Sequence, residues 1–153
     1  MQQYHFRLQK LLDIRLQKED ESKRIFKEAQ SEKLKVEKKL NELKDNYIKY
    51  RTISNKESVI EQKIRHVYLN AINYSINEAH EELAKKQKVL EEKRNELKQK
   101  QIERKTVETL KEKQKETFLK EQNFIEQKAN DEFALYGFIR NLKNLKGGEI
   151  NGD

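Results

Sequence analysis

The apolar residues of the first fifty positions recur at alternating spacings of four and three. This is the period of a helix that packs along one partner helix, and it predicts a first helix over about residues 5–52. We use the word seam for the stripe of positions facing the partner. The seam of the first helix reads Leu8, Leu12, Arg15, Glu19, Ser22, Phe26, Ala29, Lys33, Val36, Leu40, Leu43, Tyr47 and Tyr50. Its second half is a good heptad seam, whereas Arg15, Glu19 and Ser22 interrupt the first half.

A second helix is predicted over about residues 57–143, again with a heptad seam. One position of the heptad holds Leu69, Ile76, Leu83, Leu90 and Leu97. The other position holds Ile72, Ala79, Lys86, Lys93 and Lys100. Lysine stems can cover apolar surface while the ammonium group stays in water. The middle of the coil is therefore expected to be only marginally stable.

Neither glycine nor proline marks the turn between the helices, since the chain has no proline and no glycine before Gly137. The stretch "TISNKES" at 52–58 is predicted to form the turn, because Ser and Asn side chains can cap a new helix. A short turn makes the two helices antiparallel neighbours. The residue numbers of facing positions should then add to about 116–118, given this turn.

This register predicts three neighbourhoods and one unpaired segment. Tyr50 should lie near Tyr68, Phe26 near residue 91, and Phe6 near residue 111. Beyond about residue 113 the second helix should have no partner from the first. Three phenylalanines fall there, and we expect a partner protein to cover that part of the helix because an isolated helix is poorly stable. They are Phe118, Phe124 and Phe133.

The predicted fold class is all-α: a long antiparallel two-helix coiled coil, or hairpin, with an overhanging second helix. Residues 1–146 are predicted to form this single hairpin and residues 147–153 a disordered tail. Composition agrees, with 34% hydrophobic and 40% charged residues, against roughly 45–50% and 25% in globular domains. So little apolar surface suits a narrow two-helix seam better than a round core.

Charge and targeting signals narrow the function classes. The net charge of +7 comes from 34 basic and 27 acidic residues that are interleaved, which is typical of a salt-bridged helix surface. The absence of cysteine excludes disulfides and thiolate metal sites. The start "MQQYHFRLQK" lacks the apolar core of a signal peptide, and the apolar run "FALYGFI" at 133–139 is too short to span a bilayer. A cytoplasmic protein without direct membrane insertion is expected.

No catalytic, cofactor-binding or metal site is predicted, so we expect no enzyme. A glycine-rich phosphate loop is impossible before residue 137, and no serine has the context of a nucleophile elbow. His66 and His80 are two heptads apart, too far along one helix to share a metal ion. The stretch "KRNELKQKQIERK" at 93–105 is rich in basic residues, but a solvated coil face explains it better than an RNA-binding arm.

Four of the six tyrosines lie near the predicted turn: Tyr47, Tyr50, Tyr68 and Tyr74. Folding of the hairpin would bring them to one end of the coil. They could cap the core of the coil there, with Tyr50 and Tyr68 stacked across the seam. They could equally form an aromatic recognition patch, since tyrosine is enriched in binding hot spots. The residues alone leave both interpretations open.

Four segments in this order resemble the FliJ family, the small coiled-coil component of the bacterial flagellar type III export apparatus. They are "YHFRLQKLLDIRLQKED" (4–20), "LKDNYIKYR" (43–51), "IRHVYLNAINYSINEAH" (64–80) and "ERKTVETLKEKQKETFLKEQNFIEQKANDEFA" (103–134). The resemblance implies an antiparallel two-helix coil similar to the rotor stalk of rotary ATPases. It also implies a non-enzymatic protein at the inner face of the cell membrane.

The resemblance further implies partners and contact residues. Family members bind the hexameric flagellar export ATPase through the end bearing both chain termini. They also bind the cytoplasmic part of the membrane export-gate protein, and some bind export chaperones; no nucleic acid is involved. At that end we predict six residues to be the implied ATPase-binding residues: Phe6, Leu8, Leu11, Phe118, Phe124 and Phe133. The implied gate-binding residues are Leu43, Tyr47, Tyr50, Tyr68, Ile72 and Ala79.

The gate-binding set departs from the family pattern at two positions. Asn46 occupies a slot where tyrosine is usual, with Tyr47 beside it, and the family's histidine slot falls on Ala79, with His80 one residue on. A shift of one residue turns a side chain by about 100° around a helix. Two other functions remain open at this point: a generic structural coiled coil, for instance a homodimer, and an RNA- or nucleoid-binding rod. The hairpin itself predicts a helical monomer when free.

Overall fold

The structure is a computed structural model that describes residues 3–52 and 57–147. It contains two α-helices, α1 at Gln9–Arg51 with 43 residues and α2 at Val59–Gly147 with 89 residues. The described residues contain no β-strand, so the predicted all-α class with two long helices is confirmed. Most of the predicted tail, from residue 148 onward, lies outside the described residues. The single-domain division of the chain stays a prediction.

The start of α2 is set by Ser58, which acts as its N-cap. The Ser58 Oγ accepts a hydrogen bond from the Glu61 backbone N–H at 3.3 Å, and the Ser58 N–H donates to Glu61 Oε2 at 2.7 Å. This reciprocal pair is a capping box, and it satisfies backbone donors that the first turn leaves free. The predicted capping role of serine in this segment is confirmed. Residues 53–56 of the predicted turn lie outside the described residues.

The residues divide into two compact units, which we call the coil unit and the terminal unit. The coil unit is Leu12–Lys105, and the terminal unit combines Met1–Leu11 with Thr106–Asp153. Both helices contribute to the coil unit as antiparallel neighbours. The residue numbers of three cross-helix pairs, Tyr50–Tyr68, Glu32–Lys86 and Arg15–Glu103, each add to 118. The register therefore lies at the upper end of the predicted range.

The seam of the coil unit follows the predicted positions. In α1, every predicted seam residue from Leu12 to Tyr47 is buried or half-buried, and the same holds in α2 from Leu69 to Lys100. Where the structure describes this unit, its buried apolar side chains are Leu12, Val36, Leu40, Ile72, Ala79 and Leu90. Phe26 was expected near residue 91, and the guanidinium of Arg94 lies 6.0 Å from its ring centroid. One narrow apolar stripe on each helix thus suffices to hold the pair together.

The polar interruption of the first half of the seam is an ionic layer. We use this name for Arg15, Glu19, Glu103 and Arg104. Arg15 is ion-paired with Glu103, and Arg104 with Glu19, so each pair joins α1 to α2. Glu19 is only 3% exposed, and its second oxygen accepts a hydrogen bond from Lys23 Nζ at 2.9 Å. Charged residues therefore replace apolar ones within the seam at this level.

The terminal unit is organised around Phe6, which is 4% exposed. Its ring centroid lies 6.0 Å from Lys111 Nζ, which confirms the predicted neighbourhood of Phe6 and residue 111. The ammonium group of Lys111 donates to Gln9 Oε1 at 2.8 Å, and the hydroxyl of Tyr4 donates to the Lys111 carbonyl at 3.2 Å. Among the described residues of this unit, the buried apolar side chains are Phe6 and Val107. These contacts attach the N-terminal segment to α2.

One prediction about the terminal unit is wrong. Phe118 was expected to lie on an overhanging single helix, but its ring lies 5.6 Å from that of Tyr4, in the segment that precedes α1. The reason is that α1 begins at Gln9, so residues 3–8 are not helical. A non-helical chain advances by up to about 3.3 Å per residue, against about 1.5 Å in a helix, and reaches further along α2. From residue 119 to 144, Gln122 and Ala129 are half-buried and the other residues are exposed.

Candidate partner-binding surfaces

The first candidate surface lies at the turn end of the coil unit, and we call it the turn-end patch: Leu43, Tyr47, Tyr50 and Tyr68. The rings of Tyr50 and Tyr68 meet edge to face across the seam, with centroids 5.0 Å apart and an interplanar angle of 85°. This is a favoured aromatic arrangement. Tyr50 is 41% exposed and Tyr68 is 43% exposed, so each ring packs on the other and still faces solvent.

The other gate-binding candidates differ in exposure. Leu43 and Tyr47 are half-buried, whereas Ile72 and Ala79 are buried in the seam, at 5% and 2% exposed. A partner could touch the first two directly. Ile72 and Ala79 instead pack beneath the surface and hold the two helices together. Of the two open interpretations for the tyrosines, the geometry supports both at once, because Tyr50 and Tyr68 close the seam and also remain accessible.

An open groove adjoins the turn-end patch. Tyr50, Ile64 and Tyr68 supply its apolar lining, and Glu57, Glu61 and Arg65 supply its charged lining. Glu57 and Arg65 form an ion pair with each other. The groove therefore offers aromatic and aliphatic contact area bordered by both signs of charge, which suits a protein segment rather than a nucleic-acid backbone.

An exposed apolar stripe on α2 was not predicted from the sequence, and we call it the outer stripe: Ile60, Ile64, Val67, Ala71 and Tyr74. These positions follow spacings of four, three, four and three, so they form a second heptad stripe outside the coil seam. All five residues are exposed. Ile64 also lines the groove beside Tyr50 and Tyr68, so the outer stripe adjoins the turn-end patch. The same spacing rule could have found it in the sequence.

The second candidate surface belongs to the terminal unit. Among the implied ATPase-binding residues, Phe6 is buried, Leu11 and Phe118 are half-buried, and Leu8 is exposed. Phe124 and Phe133 are 68% and 75% exposed. Several large neighbours share this exposure, and together with these two phenylalanines we call them the C-terminal apolar segment, because Phe124 and Phe133 lie on opposite sides of the helix. The neighbours are Ile125, Leu135, Tyr136, Phe138, Ile139 and Leu142. Such a density of exposed apolar side chains marks an interaction surface.

The heptad spacing of the α2 seam continues along this segment. Phe118, Gln122, Ile125 and Ala129 follow one another at spacings of four, three and four. Phe118 packs on Tyr4, whereas Ile125 is exposed. The seam-type pattern therefore continues past the last contact with the N-terminal segment. A helix face with this spacing is complementary to another helix or to an apolar groove.

A model of one protein family, described as "Flagellar FliJ protein", matches residues 4–143 of the 153-residue chain. The chain belongs to the FliJ family. The searches of curated proteins and of solved structures gave no match. The match confirms the resemblance drawn from the four sequence segments, and it spans every candidate residue from Phe6 to Phe133. FliJ proteins are helical coiled-coil components of the flagellar export apparatus.

The described residues add two observations about chemistry. Within residues 3–52 and 57–147, no helix carries an apolar stretch long enough to cross a membrane. In the same residues, no three potential ligands among histidine and carboxylate side chains come together as a metal-binding group. The FliJ family is structural or chaperone-like and is not known for an enzymatic activity.

Proposed function

We propose that this chain is a non-enzymatic adaptor of the flagellar type III export apparatus, located in the cytoplasm at the inner face of the membrane. In this role it binds the hexameric export ATPase through the terminal unit and the cytoplasmic part of the export-gate protein through the coil unit. It is a monomer when free, and export chaperones are further partners. The family match over residues 4–143 carries the proposal.

The geometry of the turn-end patch supports a protein partner there. Tyr50 and Tyr68 each leave about two fifths of their surface in solvent, with hydroxyls free to bond a partner. Aromatic rings held rigidly in this way lose little entropy on binding. The outer stripe extends the apolar contact area of the same end through Ile64. We assign the patch and the adjoining stripe to the export-gate protein.

The C-terminal apolar segment supports a second, separate contact. Truncation of Phe124 and Phe133 to alanine should cost the free chain little stability, because both side chains are more than two-thirds exposed. Phe6 and Phe118 differ, since they pack within the terminal unit and secure the N-terminal segment. We therefore assign direct ATPase contact to Phe124, Phe133 and Leu8. Phe6, Leu11 and Phe118 support this surface from within.

Two reciprocal double variants test both assignments in one pull-down experiment. Phe124→Ala/Phe133→Ala should lose at least tenfold in affinity for the cognate export ATPase and bind the gate protein normally. Tyr47→Ala/Tyr68→Ala should lose at least tenfold in affinity for the gate protein and bind the export ATPase normally. It should also reduce motility. Each variant is the other's matched control, because the two lie in different units and both should keep near-normal helicity by circular dichroism.

These variants are preferable to truncation after about residue 112, which should abolish ATPase binding but also removes Phe118 from Tyr4. If both variants keep both interactions, the proposal is contradicted. Melting of the coil by Tyr47→Ala/Tyr68→Ala would instead show that the tyrosines serve the core alone. A generic structural coiled coil predicts a stable homodimer by light scattering and no retention of either export protein.

A further inference from the structure

The longest stretch of the chain without a charged side chain lies in α2, beside the turn-end patch. Residues 67–77, "VYLNAINYSIN", contain no Asp, Glu, Lys or Arg, and we call them the neutral segment. In a chain that is 40% charged, eleven positions would hold about four charged residues. The segment makes about three turns of helix, so every side of α2 is uncharged at this level.

Packing against α1 accounts for only one side of the neutral segment. Leu69, Ile72 and Ile76 are buried or half-buried in the seam. The residues that the segment shares with the outer stripe are exposed: Val67, Ala71 and Tyr74. A solvated helix surface has no need to be apolar or uncharged at these positions, and the other helix surfaces of the coil unit are not.

The same side of α2 becomes charged further along the helix. Two heptads beyond Val67, Ala71 and Tyr74, the equivalent positions are exposed and all carry charge: Glu81, Lys85 and Lys88. The uncharged surface therefore has a defined end. From Ile60 to Tyr74 the outer stripe extends over roughly 20 Å, or about four turns of helix.

α1 remains charged at the level of the neutral segment. Residues 41–51 face this segment, because paired residue numbers add to 118. Five charged side chains of this part of α1 are exposed: Glu42, Lys44, Asp45, Lys49 and Arg51. The loss of charge is thus confined to α2, and proximity to the end of the coil does not explain it.

The edges of the outer stripe indicate what kind of surface can cover it. Such edges usually carry charges that pair with a partner helix. Here Tyr68 and Ser75 form one edge, Asn70 and Asn77 form the other, and charged residues flank the stripe only near its start. A charged partner side chain would lose its hydration at these edges without gaining an ion pair. The complementary surface is therefore apolar, with uncharged polar groups that hydrogen-bond to amide and hydroxyl side chains.

We infer that the outer stripe, along the neutral segment, binds a helix of the export-gate protein that has an apolar stripe and uncharged edges. The inference rests on the assignment of the turn-end patch to that protein. Apolar residues at spacings of four and three form a straight stripe, which matches a second helix. In this complex α2 lies between α1 and the partner helix, and the side of α1 that carries Ile48 stays in solvent.

Single fluorescent labels test where the partner lies. The protein has no cysteine, so single cysteines can carry a dye whose emission shifts to shorter wavelength when it leaves water. Labels at Val67→Cys, Ala71→Cys and Tyr74→Cys should all shift on addition of the cytoplasmic part of the cognate export-gate protein, because a helix along the stripe covers the roughly 10 Å that they span. Control labels at Ile48→Cys, on α1, and at Lys88→Cys, two heptads beyond Tyr74, should not shift.

A matched pair of charged variants tests the affinity. Val67 is 68% exposed and Ile48 is 66% exposed, so glutamate at either position should leave the fold and the helicity by circular dichroism unchanged. Val67→Glu should weaken binding of the gate protein by about tenfold or more, because its carboxylate would be buried against an uncharged helix. Ile48→Glu should bind like the wild type.

The outcomes separate this inference from the proposed function. If the wild type binds the gate protein but the three stripe labels do not shift, or Val67→Glu binds normally, the inference is overturned and the proposed function stands. Equal effects at Ile48 and Val67, or a shift at only one stripe label, would also overturn it, since the partner would then not be a helix lying along α2. A shift in the free chain, with a dimer in light scattering, would mean that a second copy covers the stripe instead. No binding by the wild type would contradict the proposed function together with this inference.

Discussion

The three seam lysines make a quantitative test of the packing in the coil unit. Lys86, Lys93 and Lys100 occupy positions where an apolar side chain would face the partner helix, and their side chains are 34%, 32% and 37% exposed. Replacing all three by leucine should therefore stabilise the protein. Lysine and leucine have similar helix propensities, so the change acts through the seam and not through the helix itself.

The size of the stabilisation follows from the burial of the new leucine side chains and from the ion pairs that the lysines lose. About two-thirds of each side chain is out of water, so each leucine should contribute about 1–2 kcal/mol, against about 1.5–3 kcal/mol for full burial. Lys86 and Lys100 lie 3.6 Å from Glu32 and Glu103, respectively, and Lys93 lies 3.0 Å from Glu96. Partly exposed pairs of this kind contribute about 0.2–1 kcal/mol each. The net gain should be about 1 kcal/mol per site and about 3 kcal/mol in total.

Thermal unfolding followed by circular dichroism measures this gain. A stabilisation of about 3 kcal/mol should raise Tm by about 6–12 °C in a chain of this size. The control variant Lys85→Leu/Lys88→Leu/Lys98→Leu adds the same leucines at exposed positions of the same helix and should leave Tm nearly unchanged. Light scattering must show that the seam variant stays monomeric, because dimerisation would also raise Tm. An unchanged Tm, or an equal rise in the control, would refute the seam assignment of these lysines.

Two further predictions concern the buried residues of the coil unit. Burial is the largest influence on Glu19 and opposes its ionisation, but hydrogen bonds from Lys23 and Arg104 outweigh it and hold the pKa below the ordinary 4.5. A carboxyl group whose pKa is lower in the folded than in the unfolded protein stabilises the fold at pH values above its unfolded-state pKa. This stabilisation is lost as the pH falls through the folded-state pKa. The difference in unfolding free energy between the wild type and Glu19→Gln should therefore shrink below about pH 4.5 in urea titrations, and a difference that is constant with pH would contradict the assignment. Leu90→Ala should cost about 2–5 kcal/mol because Leu90 is buried, whereas Leu119→Ala, at an exposed site, should cost under about 0.5 kcal/mol by the same urea titrations; similar costs at both sites would contradict the packing.

The candidate surfaces were only partly predictable from the sequence. The heptad spacing of tyrosines and a short turn were enough to place Tyr50 against Tyr68. The spacing did not predict that Ile72 and Ala79 of the same implied surface are buried, because the exposure of each side chain depends on where the partner helix packs against it. The outer stripe was visible as a second heptad pattern between residues 60 and 74. It was passed over because a spacing pattern alone does not say which of two stripes faces the partner helix.

The sequence by itself determined that this chain forms two long helices and which positions of each make the seam. Those features depend on local propensity, on the absence of proline and on a repeat of three and four residues, all of which are properties of neighbouring positions. Tertiary structure decided where the N-terminal segment contacts α2, because residues 3–8 are not helical and Tyr4 packs on Phe118. It also decided how the polar seam residues are satisfied. Along α1 alone, Arg15 and Glu19 interrupt the heptad pattern of apolar residues. The charges that make their burial tolerable come from Glu103 and Arg104 on the facing helix.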